Sequence, residues 1–401
     1  AAYNDLPGHL LLHDGSWENL DLQTLRWKAT TWIGQRIGAV NVTYDLETNG
    51  NRQWLSTRNP LDTANDRYAE SWLTGRVTTS YKNDWLDLSA RLPLSWLWRS
   101  LAREDKTNVL FTPEVSAKLT FGVDWDLSLS YNYGWQPLSL RDMTGTTLFT
   151  NYISVTQGLG YLDNSHGNSF TGILNYRNIS SGFFATAMTS WAGNSGNILY
   201  RATYDHGFYT TRPTDRRSVS HFLMSMLQLS ESVHWCRLNV SLQGHYTEER
   251  YSLLLSGVVT PFTLKSSSAT LSFSLQPATW LSFDANSNVG ASRQINRVDR
   301  SLDSPTLVSF VHRLNVYLMP GKWQVEWSHE LYHGNNDATS TNYFMDLSVA
   351  YRRKTYELSV AMNNVLGTDT YKQHYYTINQ QIHQLNILRP REILFTASFD
   401  I

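Results

Sequence analysis

Side chains able to bind a ligand are densest near the C-terminal end of the chain. His374, Tyr375 and Tyr376 are followed by His383 within one polar stretch. Imidazole nitrogens can ligate a metal ion, and aromatic rings can stack on a flat ligand. Such residues are also ordinary in solvated loops. The stretch is therefore either a ligand site or a plain surface loop.

A second group of residues mixes opposite charges. Arg297 and Arg300 alternate with Asp299 and Asp303. This pattern suits a solvated loop tip as well as an anion site. Tyr152 lies in another long connection, residues 137–168. The predicted substrate-binding set is His374, Tyr375, Tyr376, His383, Tyr152, Arg297 and Arg300.

Enzymatic chemistry is not indicated. The chain has no Gly-x-Ser-x-Gly, His-Glu-x-x-His or Cys-x-x-Cys motif, and no spacing of Ser, His and Asp singles out a triad. A formal net charge of -1 gives no broad attraction to nucleic acid. The lone cysteine, Cys236, falls among apolar residues and is expected to act as a small hydrophobe. The sequence therefore predicts a protein that is not an enzyme, without cofactor, metal or nucleic-acid partner.

The candidate binding residues lie in a chain whose apolar and polar side chains alternate. The final stretch shows the pattern, since Ile393, Phe395, Ala397, Phe399 and Ile401 share one face of a strand. Because the sequence ends on the last apolar residue of that strand, we expect a sheet that closes on itself. Phe395, Phe399 and Ile401 are the predicted closing residues.

The alternation recurs in hairpins with short turns at one end and longer segments at the other. The predicted short turns are 34–36, 82–84, 122–124, 180–182, 231–233, 277–278, 320–321 and 353–354. The predicted long connections are 47–67, 137–168, 292–304, 333–341 and 367–388. An aromatic residue follows nearly every short turn: Trp85, Trp125, Phe183, Trp235, Trp280, Trp323 and Tyr356. This layout is typical of outer-membrane barrels.

Composition agrees with that architecture. Only 17% of the residues are charged, against about 25% in ordinary soluble domains. The sequence predicts an all-β fold: an antiparallel transmembrane β-barrel of the outer-membrane type, with about 17 strands, or about 18 with a weak strand at 9–13. Residues 1–401 form a single domain without a plug. The alternative is a large soluble β-protein or a repeat array.

Two stretches near the end of the chain carry a family resemblance. They are Asn363-Asn364-Val365-Leu366-Gly367 with Tyr371, and Leu388-Arg389-Pro390-Arg391 with Phe399, echoed weakly by Gly158-Leu159-Gly160. They resemble the C-terminal barrel of TonB-dependent outer-membrane receptors of the Bacteroidetes type. The family's plug, its TonB-box and roughly four of its 22 strands have no counterpart here. Ile401 also stands where phenylalanine is more typical.

The resemblance implies a receptor or transporter in the outer membrane of a Gram-negative bacterium, whose loops capture a small or oligomeric substrate. It implies outer-membrane lipid and the barrel-assembly machinery as partners. It also implies TonB, reached through a plug outside this chain, and a surface lipoprotein. Two alternatives stay open: a plugless porin-like channel, and a barrel subunit that anchors an outer-membrane complex.

The resemblance also bears on how the sheet closes. We expect the chain to be the C-terminal part of a receptor, with further strands between its first and last ones. A complete barrel would instead pair residues 393–399 with residues 9–13 and would conduct ions.

Overall fold

The computed structural model describes residues 2–3, 16–17, 19–59, 62–101, 104–151, 154–205, 208–255, 257–335, 341–376 and 381–399. At 372–376 and 381–383 only the backbone is described. Strands account for most of these residues, and the one α-helix, α1, is Leu140–Met143. No helix in the described ranges is long and apolar enough to cross a bilayer.

The strands fall into a first and a second half of the chain. Those of the first half are β1 Ala2–Tyr3, β2 Ser16–Trp17, β3 Asn19–Ile37, β4 Val40–Arg58, β5 Thr63–Lys82, β6 Leu86–Leu101, β7 Glu104–Phe111, β8 Glu114–Phe121, β9 Trp125–Pro137, β10 Thr147–Asn151, β11 Ser154–Gln157, β12 Asn164–Asn178 and β13 Phe183–Asp205. Those of the second half are β14 Phe208–Val233, β15 Leu238–Leu255, β16 Val258–Ala278, β17 Leu281–Asn296, β18 Leu307–Leu318, β19 Trp323–Gly334, β20 Asn342–Arg352, β21 Tyr356–Asn363, β22 Thr370–Tyr376, β23 Gln381–Ile387 and β24 Glu392–Phe399.

One large antiparallel sheet forms the wall of a β-barrel, as predicted. Neighbours in the wall are neighbours in sequence, except that β9 pairs with β12 and β21 pairs with β24. β7 and β8 pair with the two halves of β6 and act as one interrupted strand. Counted this way, the described wall has seventeen strands, the number that the sequence predicts. The weak strand at 9–13 lies outside the described residues.

The cross-strand registers give the wall one apolar and one polar face. Leu119 lies opposite Leu127 on the apolar face, and Lys118 lies opposite Ser128 on the polar face. Ion pairs join neighbouring strands across the polar face, including Arg91 to Glu114 at 3.4 Å. Because the apolar face would be stable only against lipid, it is the outer face, and the polar face lines the interior.

Aromatic side chains cluster on the outer face at the end where the short turns lie. Trp125 packs against Tyr176, with ring centroids 4.6 Å apart, and Tyr176 packs against Phe183 at 5.9 Å. Trp323 and Tyr356 both contact Tyr351 on the far side of the wall. These contacts agree with the aromatic residues predicted after the short turns, and they put amphipathic rings at one bilayer interface.

Three of the predicted short turns are displaced. At the first, β3 runs through residues 34–36 and turns at Gly38, because Gly38 has the positive φ of 62° that the turn requires. β14 likewise runs through 231–233, and the turn is a 3-10 helix at His234–Cys236. β16 runs to Ala278, so the turn follows 277–278.

Two of the long connections at the other end, 47–67 and 367–388, are mostly strand, which corrects their prediction as loops. Residues 47–67 contain the end of β4 and the start of β5, and the ladder between them continues until Arg58 pairs with Thr63. A hairpin of β22 and β23 likewise occupies most of 367–388. Above the bilayer both faces of a strand meet water, so alternation fades while backbone pairing continues.

A seam separates the first and last strands of the wall. The sheet order sets β24 beside β3, but among the described residues no residue-by-residue ladder joins them. Every residue of β3 is exposed, and so is all of β24 except Glu392. With seventeen antiparallel strands, β3 and β24 run in the same direction. Phe395 and Phe399 face outward on β24, opposite Val360 and Tyr356, and Ile401 lies outside the described residues.

The two faces predict a large asymmetry between neighbouring substitutions. Leu127→Arg should destabilise the folded barrel, but by less than the about 2 to 4 kcal/mol that a cation costs at the lipid midplane, because Leu127 lies only two residues from Trp125 at the aromatic end of β9. Ser128→Arg should cost much less, because its side chain meets the polar interior. Urea titration of folding into lipid vesicles measures both, and Leu347→Arg with Ser348→Arg repeats the comparison on β20. Equal losses at both faces would contradict the assignment of inside and outside.

Candidate functional site

A folded segment lies against the interior face of the wall at the end opposite the short turns. This inner segment, residues 138–163, connects β9 to β12 and contains α1, β10 and β11. β11 pairs in parallel with β14, where Val155 lies opposite Thr210. The segment therefore adds backbone pairing to the wall, although the sequence predicts only a long loop here.

Acidic and amide side chains of the β4–β5 region hold one side of the inner segment. Asp66 accepts hydrogen bonds from the hydroxyls of Thr144 and Thr146, the latter over 2.6 Å. Asn59 Nδ2 donates to the Thr147 carbonyl over 2.9 Å. Thr144 and Thr146 are 1% and 3% exposed. Because buried hydroxyls need partners, Asp66 fixes the position of this part of the segment.

The other side of the inner segment is held from β6, β7 and β14. Glu104 accepts a hydrogen bond from the Leu162 amide over 2.6 Å. Arg99 donates to the Asp163 carbonyl over 3.0 Å, while Arg217 pairs with the Asp163 carboxylate. The inner segment is thus held by strands on both sides of β9 and β12. It forms a fixed ledge, meaning a folded surface that projects inward at the barrel mouth.

Apolar contacts complete the docking. Tyr68 and Leu101 on the wall form a buried cluster with Met143 and Leu162 of the inner segment. Sequence analysis missed this cluster, because Tyr68 follows directly after the predicted connection 47–67 and its partners Met143 and Leu162 are far from it in sequence. The available signal was Tyr68 itself, because it shares the polar face of β5 with Asp66 and Glu70, where an aromatic ring is unexpected.

Glycine is required where the inner segment folds on itself. A Cβ atom on Gly158 would lie 2.1 Å from the Thr144 carbonyl oxygen, closer than any side chain could stand. Gly160 has a φ of 79°, in the left-handed region that favours glycine. The Gly158-Leu159-Gly160 sequence, noted above as part of a family resemblance, thus has a local structural cause.

A second group on the interior face is aromatic. Tyr332, Phe344 and Tyr371 form a triad with ring centroids 5.7 to 6.0 Å apart. Tyr332 donates a hydrogen bond to Glu330 over 2.6 Å and accepts one from Arg313 over 3.0 Å. Flat aromatic surface beside an ion pair can stack on a ligand and orient it by hydrogen bonding. Sequence reasoning missed the triad as a site, although Phe344 stands out as an aromatic residue in polar register with Asp346.

The predicted residues of the last loop lie beside this triad in sequence. Tyr371 is the second residue of β22 in the β22–β23 hairpin, in which His374 pairs with His383 and Tyr376 pairs with Gln381. The side chains of His374, Tyr375, Tyr376 and His383 lie outside the described residues, and so does Tyr152. Their role in binding stays a prediction.

The two predicted arginines lie in the connection between β17 and β18. Arg300 is 3.7 Å from Asp303, which also pairs with Arg293 at 3.1 Å. Hydrogen bonds from the Ser301 hydroxyl and amide hold the pKa of Asp299 below its usual value. This geometry places charge at a loop tip, where exposed ion pairs contribute little to stability. Nothing described here brings Arg297 or Arg300 to the inner segment or to the aromatic triad.

No three His, Cys, Asp or Glu side chains within the described ranges lie close enough together to hold a metal ion. The interior instead presents hydroxyls, amides and paired charges. Asp126, for example, receives Arg177 at 2.9 Å and Lys118 at 3.7 Å. Such a surface suits hydrated solutes or a polar protein segment.

Comparison with known proteins finds likeness in solved structures alone. No family model matches the sequence, and no curated protein matches it. The ferric yersiniabactin uptake receptor FyuA from Yersinia pestis is 14% identical, with a TM-score of 0.47 over 97% of this chain and 63% of that one. The copper transporter OprC is 10% identical, with a TM-score of 0.46 over 96% and 67%. The ferric-catecholate import receptor Fiu from E. coli K12 is 10% identical, with a TM-score of 0.32 over 95% and 81%. The chain thus spans less than two thirds of the length of FyuA.

The docking of the inner segment predicts a specific weakness. Asp66→Ala leaves two buried hydroxyls without their acceptor, which costs about 1 to 3 kcal/mol. Local opening should then rise, and trypsin should cut after Arg141 about tenfold faster or more, since cleavage follows the open population. Timed digestion with mass spectrometry measures the rate.

Asp105→Ala is the matched control, because Asp105 is an exposed acid on the outer face of β7. It should leave the cleavage rate unchanged. The same rate in both variants would show that Asp66 does not hold the segment.

Proposed function

We propose that this chain is the membrane-spanning wall of a TonB-dependent type receptor that takes up a solute across the outer membrane. The observation that carries the proposal is a wall with an apolar outer face and a polar, ion-paired interior whose mouth holds a fixed, folded ledge. A passage for hydrated solutes needs such an interior, and a selective one needs a shaped entrance. The aromatic triad and the β22–β23 hairpin supply a second surface for the solute.

The seam supports a receptor over a plugless channel. Because β3 and β24 run in the same direction, antiparallel closure between them requires an odd number of further strands. Five more would give a 22-stranded barrel, the size at which the lumen is normally plugged. TonB would act through that plug, and a surface lipoprotein would meet the mouth.

The orientation of the wall can be tested by labelling whole cells. In a Cys236→Ser background, a cysteine replacing Val298 should react with an impermeant thiol reagent, because the loop end faces outward. A cysteine replacing Val123, at a short turn, should react only after the cells are lysed. Val298 and Val123 are 73% and 87% exposed, so accessibility to the reagent is matched. The reverse pattern would invert the topology.

Energised uptake separates the proposed function from its alternatives. Cells that make the protein should deplete a compound from the medium that cells lacking it leave behind, as measured by mass spectrometry. A protonophore should stop that depletion, because a TonB-dependent type receptor draws on the inner-membrane proton gradient. Depletion that continues with the protonophore would instead indicate a porin-like channel. No difference between the two kinds of cell would favour an anchoring subunit.

A further inference from the structure

Three of the chain's seven methionines lie together on the interior face of the wall. Met188 on β13 is directly opposite Met226 on β14, and Met226 is directly opposite His245 on β15. Met224 is two residues from Met226 along β14, so it shares the same face. Three thioethers and one imidazole thus form a single patch across three adjacent strands.

Met188 faces the polar interior, because it lies opposite Ile173 of β12, which lies opposite Ser128 on the interior face of β9. Hydrogen-bonded residues flank it on that face. Thr186 donates to Asn175 on β12 over 2.9 Å. Ser190 is hydrogen bonded to Thr171, also on β12, over 3.0 Å. Because Thr186 and Ser190 are two residues either side of Met188, all three project from the same face.

The sulfur of Met226 has a polar partner. Gln243 Nε2 donates to Met226 Sδ over 3.4 Å, so this thioether is not sealed in apolar packing. Met345 and Met362 are different, because they lie on the outer face, where Met362 is opposite Leu347 and Ile393. Contact with lipid accounts for those two methionines, but not for the interior ones.

The donor set has a definite chemical preference. Thioether sulfur is a soft, neutral ligand that selects Cu(I), and imidazole also suits copper. Met188, Met226 and His245 form a row of opposite residues across the sheet, which continues to Ile173 on one side and Ser268 on the other. The row therefore contains no carboxylate for a hard dication. Opposite residues in a sheet have Cβ atoms about 4.5 to 5.5 Å apart, and methionine is flexible enough to turn its sulfur toward a shared point.

We propose that Met188, Met224, Met226 and His245 form a binding site for a soft monovalent cation, Cu(I), on the interior wall of the barrel. The sequence-based prediction of no metal considered motifs built from His, Cys and carboxylate residues. It did not consider methionine as a ligand. The site is a property of the wall, so it does not depend on the uptake proposal. The site gives the interior wall a neutral, sulfur-rich position that would bind such an ion.

Silver(I) is the probe, because it is soft, monovalent and stable in air. The full chain, folded in detergent with Cys236→Ser to remove its free thiol, is titrated with silver nitrate in chloride-free buffer by calorimetry. The expected result is one tight ion per chain, with sulfur and nitrogen neighbours in the absorption spectrum at the silver edge. The triple variant M188L/M224L/M226L should weaken this binding at least tenfold, and H245Q should remove the nitrogen neighbour.

The control is M345L/M362L, which removes the two outer-face methionines and should bind silver as the parent does. Leucine is close to methionine in volume, so both variants should fold, as checked by circular dichroism and heat-dependent gel mobility. A patch that serves only for apolar packing would tolerate leucine and would hold no ion. Equal silver binding by the triple variant and the control, or none by the parent, would overturn the proposal.

Discussion

The structure depends on one requirement, that every backbone N–H and C=O group within the bilayer finds a partner. A β-strand meets it only through its neighbours, so each strand needs another on both edges. Continuous ladders from β3 to β6, and again from β12 to β21, meet it, with local register shifts only between β13 and β14 and at the turn end of β16 and β17. Loops, turns and side chains can differ only in ways that keep this backbone pairing intact.

The ladder also sorts the side chains. Because successive residues face opposite sides, the outer face can be apolar while the inner face carries Arg91 with Glu114 or Lys118 with Asp126. Charged residues there pair with a neighbouring strand and meet water. Three methionines on that face depart from the pattern, since neither lipid contact nor charge pairing explains them. Departures of this kind are expected at functional or strained sites.

Sequence could predict what the bilayer imposes, and little beyond it. The alternation around Leu127 and Leu347, the aromatic residues after the turns and the number of wall strands follow from lipid on one side and water on the other. The extension of β4 to Arg58 did not follow, because above the bilayer no face must be apolar. The docking of residues 138–163 depends on contacts between Asp66 and Thr146, eighty residues apart, which no local pattern contains.

At the seam between β3 and β24, the requirement for backbone hydrogen bonding is not met by the described strands. Among the described residues, β3 is paired by a ladder along one edge only, with β4, and in hydrocarbon each unpaired backbone group on its other edge costs several kcal/mol. An edge of that length is stable against lipid only when a partner strand pairs with it. Direct pairing of β3 with β24 would be parallel, against the antiparallel pattern of the wall. An odd number of further strands between them, as the proposed receptor requires, would meet the backbone requirement and keep that pattern.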